Sequence, residues 1–504
     1  MLKKFLLLIL LVLPYGLFAE KVIINGNAPD YKGVSITFLT FSDQITYTEK
    51  ELCKTKVDDN GNFTCSFETN ETIYIFTHLG AYEAFLFVEP GKTYDLILPE
   101  IKEKTLADKL NPYFKPILYH LGLNNITENE LNYRLAYFEE IYSLMGSKDL
   151  YSIYNKIRQI HDDSKFNDVD TVYSAESYRK IVNNSTSYIS RNLKEIDVTN
   201  EIQKVDSLFL NIDNKFFNDF KQYRFAQYQS VSANQKMKSI SNTYYLNNEI
   251  LYQNPAYMEL FNQVYNEYFL YFGRTESGKQ IFNDIGKLKS ISSLKRTLGN
   301  DSILSNDTLK ELVILKCLHD EFYNDKFSRS AMLTVLDSLS IQTTVDEHKH
   351  IAKNIKDKVT KLMLGYEPPK FELYDKDSNL VSIDSYKGKY VYLGFCTTTS
   401  YACIKEFAML ENLYKKHKDH FEIIIISMDE SLPQMKRFIE MKNYSVKFLY
   451  YGNQPDVFKD YDIRAFPTYY FIDKEGKLAI TPAPSPDQNS EFAIFKILRA
   501  NGDI

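Results

Sequence analysis

The spacing of apolar positions changes period twice along this chain, and each change marks a different kind of structure. From about residue 21 to 99, apolar residues alternate in short runs broken by turn-forming ones. Val34, Ile36 and Phe38 take turns with Ser35 and Thr37; Asp59-Asn60-Gly61-Asn62 has the composition of a hairpin turn; Glu89-Pro90-Gly91-Lys92 precedes an apolar run from Tyr94 to Leu98. Short strands at regular spacing predict a small β-sandwich over residues 20–100.

Over residues 101–365 the apolar spacing lengthens to three and four, the period of an α-helix. Asn254 and Pro255 supply a cap and a first turn, and Tyr257, Phe261, Val264, Tyr268 and Phe272 follow on one face. Leu309, Leu312 and Val313 open another helix, with Cys317 on its apolar face as a small core filler. Asn183-Asn184-Ser185-Thr186 reads as a loop between helices. This central all-α region ends at Glu367-Pro368-Pro369, because proline disfavours helix at its own position and at the one before.

Residues 366–504 then alternate strand and helix. Strands are predicted over 391–395, 421–427 and 446–450, helices over 401–418, 433–442 and 454–461, a hairpin over 469–472 and 477–480, and a last helix over 490–499. This order is the thioredoxin arrangement. The chain is therefore expected to be multidomain, with an N-terminal β-sandwich, a central all-α region and a C-terminal α/β thioredoxin-like fold.

The length of 504 residues fits two to four domains, and a formal charge of −6 disfavours nucleic acid as a partner. At the N-terminus Lys3 and Lys4 precede an apolar run over residues 5–13, then Pro14, Gly16 and the small Ala19, the layout of a signal peptide over residues 1–19. The run is too short to span a bilayer. The expectation is an exported, periplasmic protein starting near Glu20, without a lipid-anchoring cysteine or an integral membrane segment in the mature chain. Five cysteines are too few for a disulfide scaffold. Cys53 and Cys65 flank the turn at Asn60-Gly61, and either a bridge or two separate thiols is compatible with a register that does not set them opposite one another.

The chemistry concentrates in Gly394-Phe395-Cys396-Thr397-Thr398-Thr399-Ser400-Tyr401-Ala402-Cys403-Ile404-Lys405-Glu406. It runs from a buried strand into a helix, where a thiol at the positive helix end ionises readily. With Lys387-Gly388-Lys389-Tyr390-Val391 before it and Ser427-Met428-Asp429-Glu430, Ala465-Phe466-Pro467-Thr468 and Phe471-Ile472-Asp473-Lys474-Glu475-Gly476 after it, the chain from about Glu367 onward resembles the TlpA-like thioredoxin-fold proteins of the bacterial envelope. The resemblance covers about a quarter of the chain. It implies thiol–disulfide oxidoreductase chemistry, a cis-proline at Pro467 and an accessory N-terminal region.

Two departures qualify it. The family's attacking cysteine corresponds to Ser400, and the tryptophan usual four residues earlier corresponds to Cys396. A serine hydroxyl neither ionises near neutral pH nor forms a disulfide, so cycling through the usual dithiol is excluded. The offset from Cys396 at a strand end to Cys403 in a helix implies a separation beyond the roughly 7 Å between Cα atoms that an unstrained bridge tolerates. Ser400-X-X-Cys403 also has the spacing of a peroxiredoxin site, but that family's proline is Cys396 here and its arginine is Pro467. The site residues expected are Cys403 as a single redox thiol, Ser400 as its hydrogen-bonding neighbour and Pro467 shaping a groove for an envelope protein or peptide. The alternative is a non-catalytic module that binds through the same groove. His348-Lys349-His350 and the pair His417 and His420 are expected on solvated surface, so neither a metal nor another cofactor is proposed.

Overall fold

The computed structural model describes residues 19–105, 108, 111, 114–124, 126–145, 198–231, 237–452, 454 and 456–504. All but Ala19 of the expected signal peptide, and the loop at Asn183-Asn184-Ser185-Thr186, lie outside the described residues. The chain packs as two units, Met1–Glu103 with Pro116–Ile351, and Lys104–Lys115 with Ala352–Ile504.

The first unit opens with strands β1 (Glu20–Asn27), β2 (Ser35–Phe41), β3 (Glu49–Lys56), β4 (Asn62–Thr69), β5 (Ile73–Leu79), β6 (Tyr82–Val88), β7 (Thr93–Ile97), β8 (Ile117–His120) and β9 (Gly122–Leu123). They form two sheets, in the orders β4-β1-β7-β9 and β3-β2-β5-β6-β8. Val22 and Ile24 of the first sheet share one buried cluster with Ile36, Phe38, Ile75 and Leu86 of the second. Period-2 burial is clearest in β4, where Phe63, Cys65 and Phe67 point inward and their neighbours outward. Val34 lies before β2 and is exposed, so the alternation starts at Ile36.

The turn at Asn60-Gly61 forms, with the Asp58 carboxylate accepting from the Asn60 and Asn62 amides at 2.8 Å each. It does not close a hairpin: β3 is hydrogen-bonded to β2, whereas β4 is hydrogen-bonded to β1. The chain changes sheet at this turn. Cys53 and Cys65 are joined by a disulfide with a Cα–Cα distance of 6.1 Å, which ties one sheet to the other. β8 and β9 lie past residue 100, where the apolar spacing predicted helix; β8 joins the second sheet beside β6 and β9 the first beside β7.

The helices of this unit include α1 (Leu131–Ser143), α2 (Val198–Asp206), α3 (Lys215–Val231), α4 (Met237–Tyr244), α5 (Pro255–Val264), α6 (Tyr268–Phe272), α7 (Ile291–Leu298), α8 (Asp307–Asp320) and α9 (Arg329–Gln342). The division between the units falls within α10 (Asp346–Thr360). Asn254 caps α5 by accepting from the Tyr257 amide. The single face predicted from Tyr257 to Phe272 is split between α5 and α6 by Glu267 in the left-handed region at φ 48°, yet all five apolar residues remain buried. Cys317 sits within α8 with no exposed surface.

His348 contradicts the surface expectation. It is fully buried, its Nδ1 2.8 Å from Glu311 and its Nε2 2.9 Å from the Tyr252 hydroxyl. Burial lowers its pKa, and Glu311 is held below the usual carboxylate range because donation from Lys295, Thr343 and His348 outweighs its own burial. A periodicity argument misses such a residue because its polar partners arrive from two other segments. His417 is likewise largely covered, bonded through Nε2 to Glu491 at 2.8 Å.

The second unit continues with β10 (Glu372–Asp375), β11 (Leu380–Ser382), β12 (Tyr390–Cys396), α11 (Tyr401–His417), β13 (Phe421–Ser427), α12 (Leu432–Lys442), β14 (Lys447–Tyr450), α13 (Asp456–Asp460), β15 (Thr468–Ile472), β16 (Leu478–Ala483) and α14 (Ser490–Ala500). Its sheet has the order β11-β10-β14-β13-β12-β15-β16, with β12, β13 and β14 parallel and β15 antiparallel to β12. β12 and β13 lie at the centre, which explains their near-continuous apolar sequences. Ile423, Ile424, Ile425 and Ile426 are buried, each contributing about 1.5–3 kcal/mol relative to exposure. Gly394 is required by packing: a Cβ there would meet Ile425 Cδ1 and Tyr469 Cε1 at 2.7 Å.

Candidate active site

The site forms where the carboxyl end of β12 turns into α11. Asp429, 2% exposed, shapes this turn. Its Oδ1 accepts from the Thr398 amide at 2.9 Å, the Thr398 hydroxyl at 2.8 Å and the Thr397 hydroxyl at 3.0 Å, while Oδ2 accepts from the Ser427 hydroxyl at 2.6 Å. The Met428 amide donates to the Cys396 carbonyl at 2.9 Å, fastening the ends of β12 and β13 together. A buried carboxylate with four donors is well compensated for its desolvation.

α11 presents Cys403, Glu406, Phe407, Leu410 and Leu413 to the core at helical spacing. Ser400 is its N-cap residue, but its hydroxyl makes no capping bond to the backbone. Cys396, Thr397 and Ser400 are the polar groups that act on the Cys403 thiol. The influence of Cys396 is the largest, and with those of Thr397 and Ser400 it outweighs burial and brings the Cys403 thiol down to about 7. Its place in the first turn of α11 adds the favourable end of the helix dipole. Burial pushes the Cys396 thiol well up, and the influence of Cys403 adds to the shift.

Cys396 and Cys403 belong to one buried cluster. The turn over residues 397–400 folds back, with the Ser400 amide donating to the Thr397 carbonyl, and lays the start of α11 over the end of β12. Both thiols are free and both residues are fully buried. Beyond Cys396, the Tyr469 hydroxyl lies 3.9 Å from its sulfur and donates to Glu406 at 2.7 Å. Burial raises the Glu406 carboxyl, an effect the Tyr469 bond partly offsets.

Pro467 is half-buried, with a cis Phe466–Pro467 peptide. Pairing of Phe395 with Thr468 brings Pro467 level with Cys396 at the same end of the sheet. The exposed surface beside the turn is apolar at Tyr401, 85% exposed, and Ile404. Sequence reasoning assigned no role to Tyr469, Glu406 or Asp429. Tyr469 lies two residues after Pro467, and Glu406 one helical turn after Cys403, so strand and helix periods together carried a signal for both. Among the described residues no cluster of three or more His, Cys, Asp or Glu could hold a metal ion, and no helix is long and apolar enough to cross a membrane.

A strand–turn–helix with a low-pKa thiol in the first helical turn, on a sheet of this order, defines a thioredoxin-like domain. Residues 364–480 match the model of the AhpC/TSA family. The thiol-disulfide oxidoreductase ResA of Bacillus thuringiensis subsp. konkukian is 33% identical over 123 residues, 24% of this chain and 70% of that protein. The thioredoxin-like protein YneN of Bacillus subtilis is 27% identical over 115 residues, 22% of this chain and 66% of its own length. The solved thioredoxin domain of a thiol-disulfide oxidoreductase from Bacteroides vulgatus is 28% identical, with a TM-score of 0.25, and the match covers 27% of this chain and 98% of that one. Through its C-terminal quarter the chain belongs to the ResA/TlpA-like thiol-disulfide oxidoreductase family.

Proposed function

We propose that this is an exported, periplasmic member of the family in which Cys403 is the reactive thiol, Ser400 supports its thiolate and Pro467 positions the backbone of an envelope protein or peptide substrate. The observation that carries this reading is the place of Cys403 in the first turn of α11, at the end of the sheet that also holds the cis Phe466–Pro467 peptide. A thiolate at neutral pH is the species that attacks a disulfide, and it needs no second cysteine at position 400 to form a mixed disulfide. The domain division that accompanies it is a signal peptide over 1–19, a β-sandwich accessory domain over 20–100 to which β8 and β9 add strands, a helical region over 101–365 and the thioredoxin-like domain over 366–504. The core shared by the two N-terminal sheets supports the sandwich.

One observation favours the competing reading, a groove that binds without redox turnover: Cys403 has no exposed surface. Alkylation of the native protein separates the two. Labelling of Cys403 by iodoacetamide at neutral pH, faster than labelling of Cys317 in the same molecule, is the expected result. Equal resistance of both thiols until the protein is unfolded would leave the binding module as the surviving reading.

A further inference from the structure

We infer that the corner between α9 and α10 is an acid-sensitive latch: His348 fastens the first turn of α10 while its ring is neutral and releases it when the ring takes a second proton. One carboxylate, Glu311 of α8, holds this corner. Its Oε1 accepts from Lys295 of α7 at 2.5 Å, and its Oε2 accepts from the Thr343 hydroxyl, just past α9, at 2.6 Å and from His348 Nδ1 at 2.8 Å. An ionised carboxylate offers no hydrogen, so Nδ1 carries the proton of the ring and Nε2 is bare. The Tyr252 hydroxyl, 2.9 Å away, donates to it. Both nitrogens of the fully buried ring are satisfied in the neutral form.

Adding a proton changes the cluster in two ways. Lys295 and Glu311 cancel in charge, so a protonated ring leaves one uncompensated positive charge where His348 has no exposed surface. A hydrogen on Nε2 also points at the hydroxyl that was donating there, so the Tyr252 bond has to reverse. Burial outweighs the pull of Glu311 and lowers the His348 pKa, so the latched form binds the proton less tightly than the opened form does. Latching is therefore complete above the ordinary histidine value of about 6.5 and weakens as pH falls below it. Other charged groups at the corner act elsewhere or in the opposite sense. Glu311 and Asp346 are held below the usual carboxylate range by their donors and stay ionised. Glu347 is raised by burial and by Asp43, so acid favours its folded form. His350 is the other histidine of this turn, its Nε2 2.6 Å from the Ser42 hydroxyl. α10 continues past Ile351 into the second unit, so the latch acts on the start of a helix that carries the chain from one unit into the other.

The test follows amide hydrogen exchange of the full chain by mass spectrometry from about pH 7.5 to about pH 5.5, on either side of the ordinary histidine value, with rates corrected for the intrinsic pH dependence of exchange. Protection over residues 343–351 should fall by up to about tenfold across that range, while β12 and β13 keep theirs. His348→Gln supplies a donor for Glu311 and an acceptor for Tyr252 but takes no proton; its protection there should not change with pH. Isotope labelling of the histidine rings for NMR gives a second reading. The His348 signal, assigned by its perturbation in Tyr252→Phe, should move to the protonated position over the range in which protection falls. Unchanged protection in the wild type overturns the latch. So does a fall that persists in His348→Gln, which would belong to His350. Should the glutamine variant not fold, the ring signal decides: protection lost while His348 stays neutral excludes it as the cause.

Discussion

The Tyr469 hydroxyl donates to the Glu406 carboxylate at 2.7 Å, joining the second residue of β15 to the second turn of α11 beneath the two thiols. This bond exists because Gly394, paired with Tyr469 across the β12–β15 ladder, leaves room for the tyrosine ring. Tyr469→Phe keeps the ring and removes the donor from a buried carboxylate. The expected cost is about 1–3 kcal/mol, read as a lowered midpoint in urea denaturation of the full chain. An unchanged midpoint would mean that Glu406 finds another donor.

Ionisation of Cys403 should govern its labelling rate. With a pKa of about 7, below the ordinary thiol value, the thiolate fraction and the alkylation rate should rise through neutrality with a midpoint near pH 7. Ser400→Ala removes one of the influences that lower it and should move that midpoint upward; Cys396→Ala should move it further. A folded-state pKa depressed in this way stabilises the fold fully above the unfolded thiol's value, and that contribution is lost as pH falls through about 7. A midpoint at the ordinary thiol value in the wild type would remove the hydrogen-bond explanation.

Asp429→Ala leaves the Thr398 amide and the hydroxyls of Thr397, Thr398 and Ser427 without their shared acceptor. The expected loss is about 2–4 kcal/mol. Amide hydrogen exchange should quicken at residues 397–403 while protection in β1 and β4 is unchanged. Exchange that quickened equally throughout would point to global unfolding instead of a loosened turn.

In the first unit, burial pushes the Glu321 carboxyl up to about 7 although its Oε1 accepts from the Phe269 amide at 3.0 Å. A carboxyl raised this way binds its proton more tightly folded than unfolded. Its contribution is therefore intact below the unfolded carboxylate value and declines as pH rises from there to about 7. Glu321→Gln should be more stable than the parent at pH 8, by on the order of 1 kcal/mol, and should lose that advantage at pH 4. Equal melting temperatures at pH 8 would argue that water compensates the ionised form.

What the sequence disclosed follows from where periodicity is strong. β12 and β13 are legible because both faces are buried and their sequences are apolar but for Glu422 and Ser427, and α11 because its inward residues recur at three and four. β10 and β11 escaped notice since they are short and Glu372, Tyr374 and Leu380 are exposed. The thioredoxin-like fold was therefore readable, and so were Cys403, Ser400 and Pro467 as positions. The fastening of the turn at Thr397 and Thr398 to Asp429 was not, because that acceptor lies far along the chain and only the fold brings it there. His348 was misjudged for the same reason: Tyr252 and Glu311 reach it from elsewhere in the chain.

The Cys53–Cys65 bridge has a mechanical consequence. β1 begins at Glu20, and its ladder runs along β4; the bridge then passes covalently from β4 into β3 of the other sheet. A pull on the first strand that outlasts the β1–β4 hydrogen bonds can peel them apart, but it cannot separate β3 from β4 at this point while the bridge is intact. Tension entering at β1 is shared by both layers of strands.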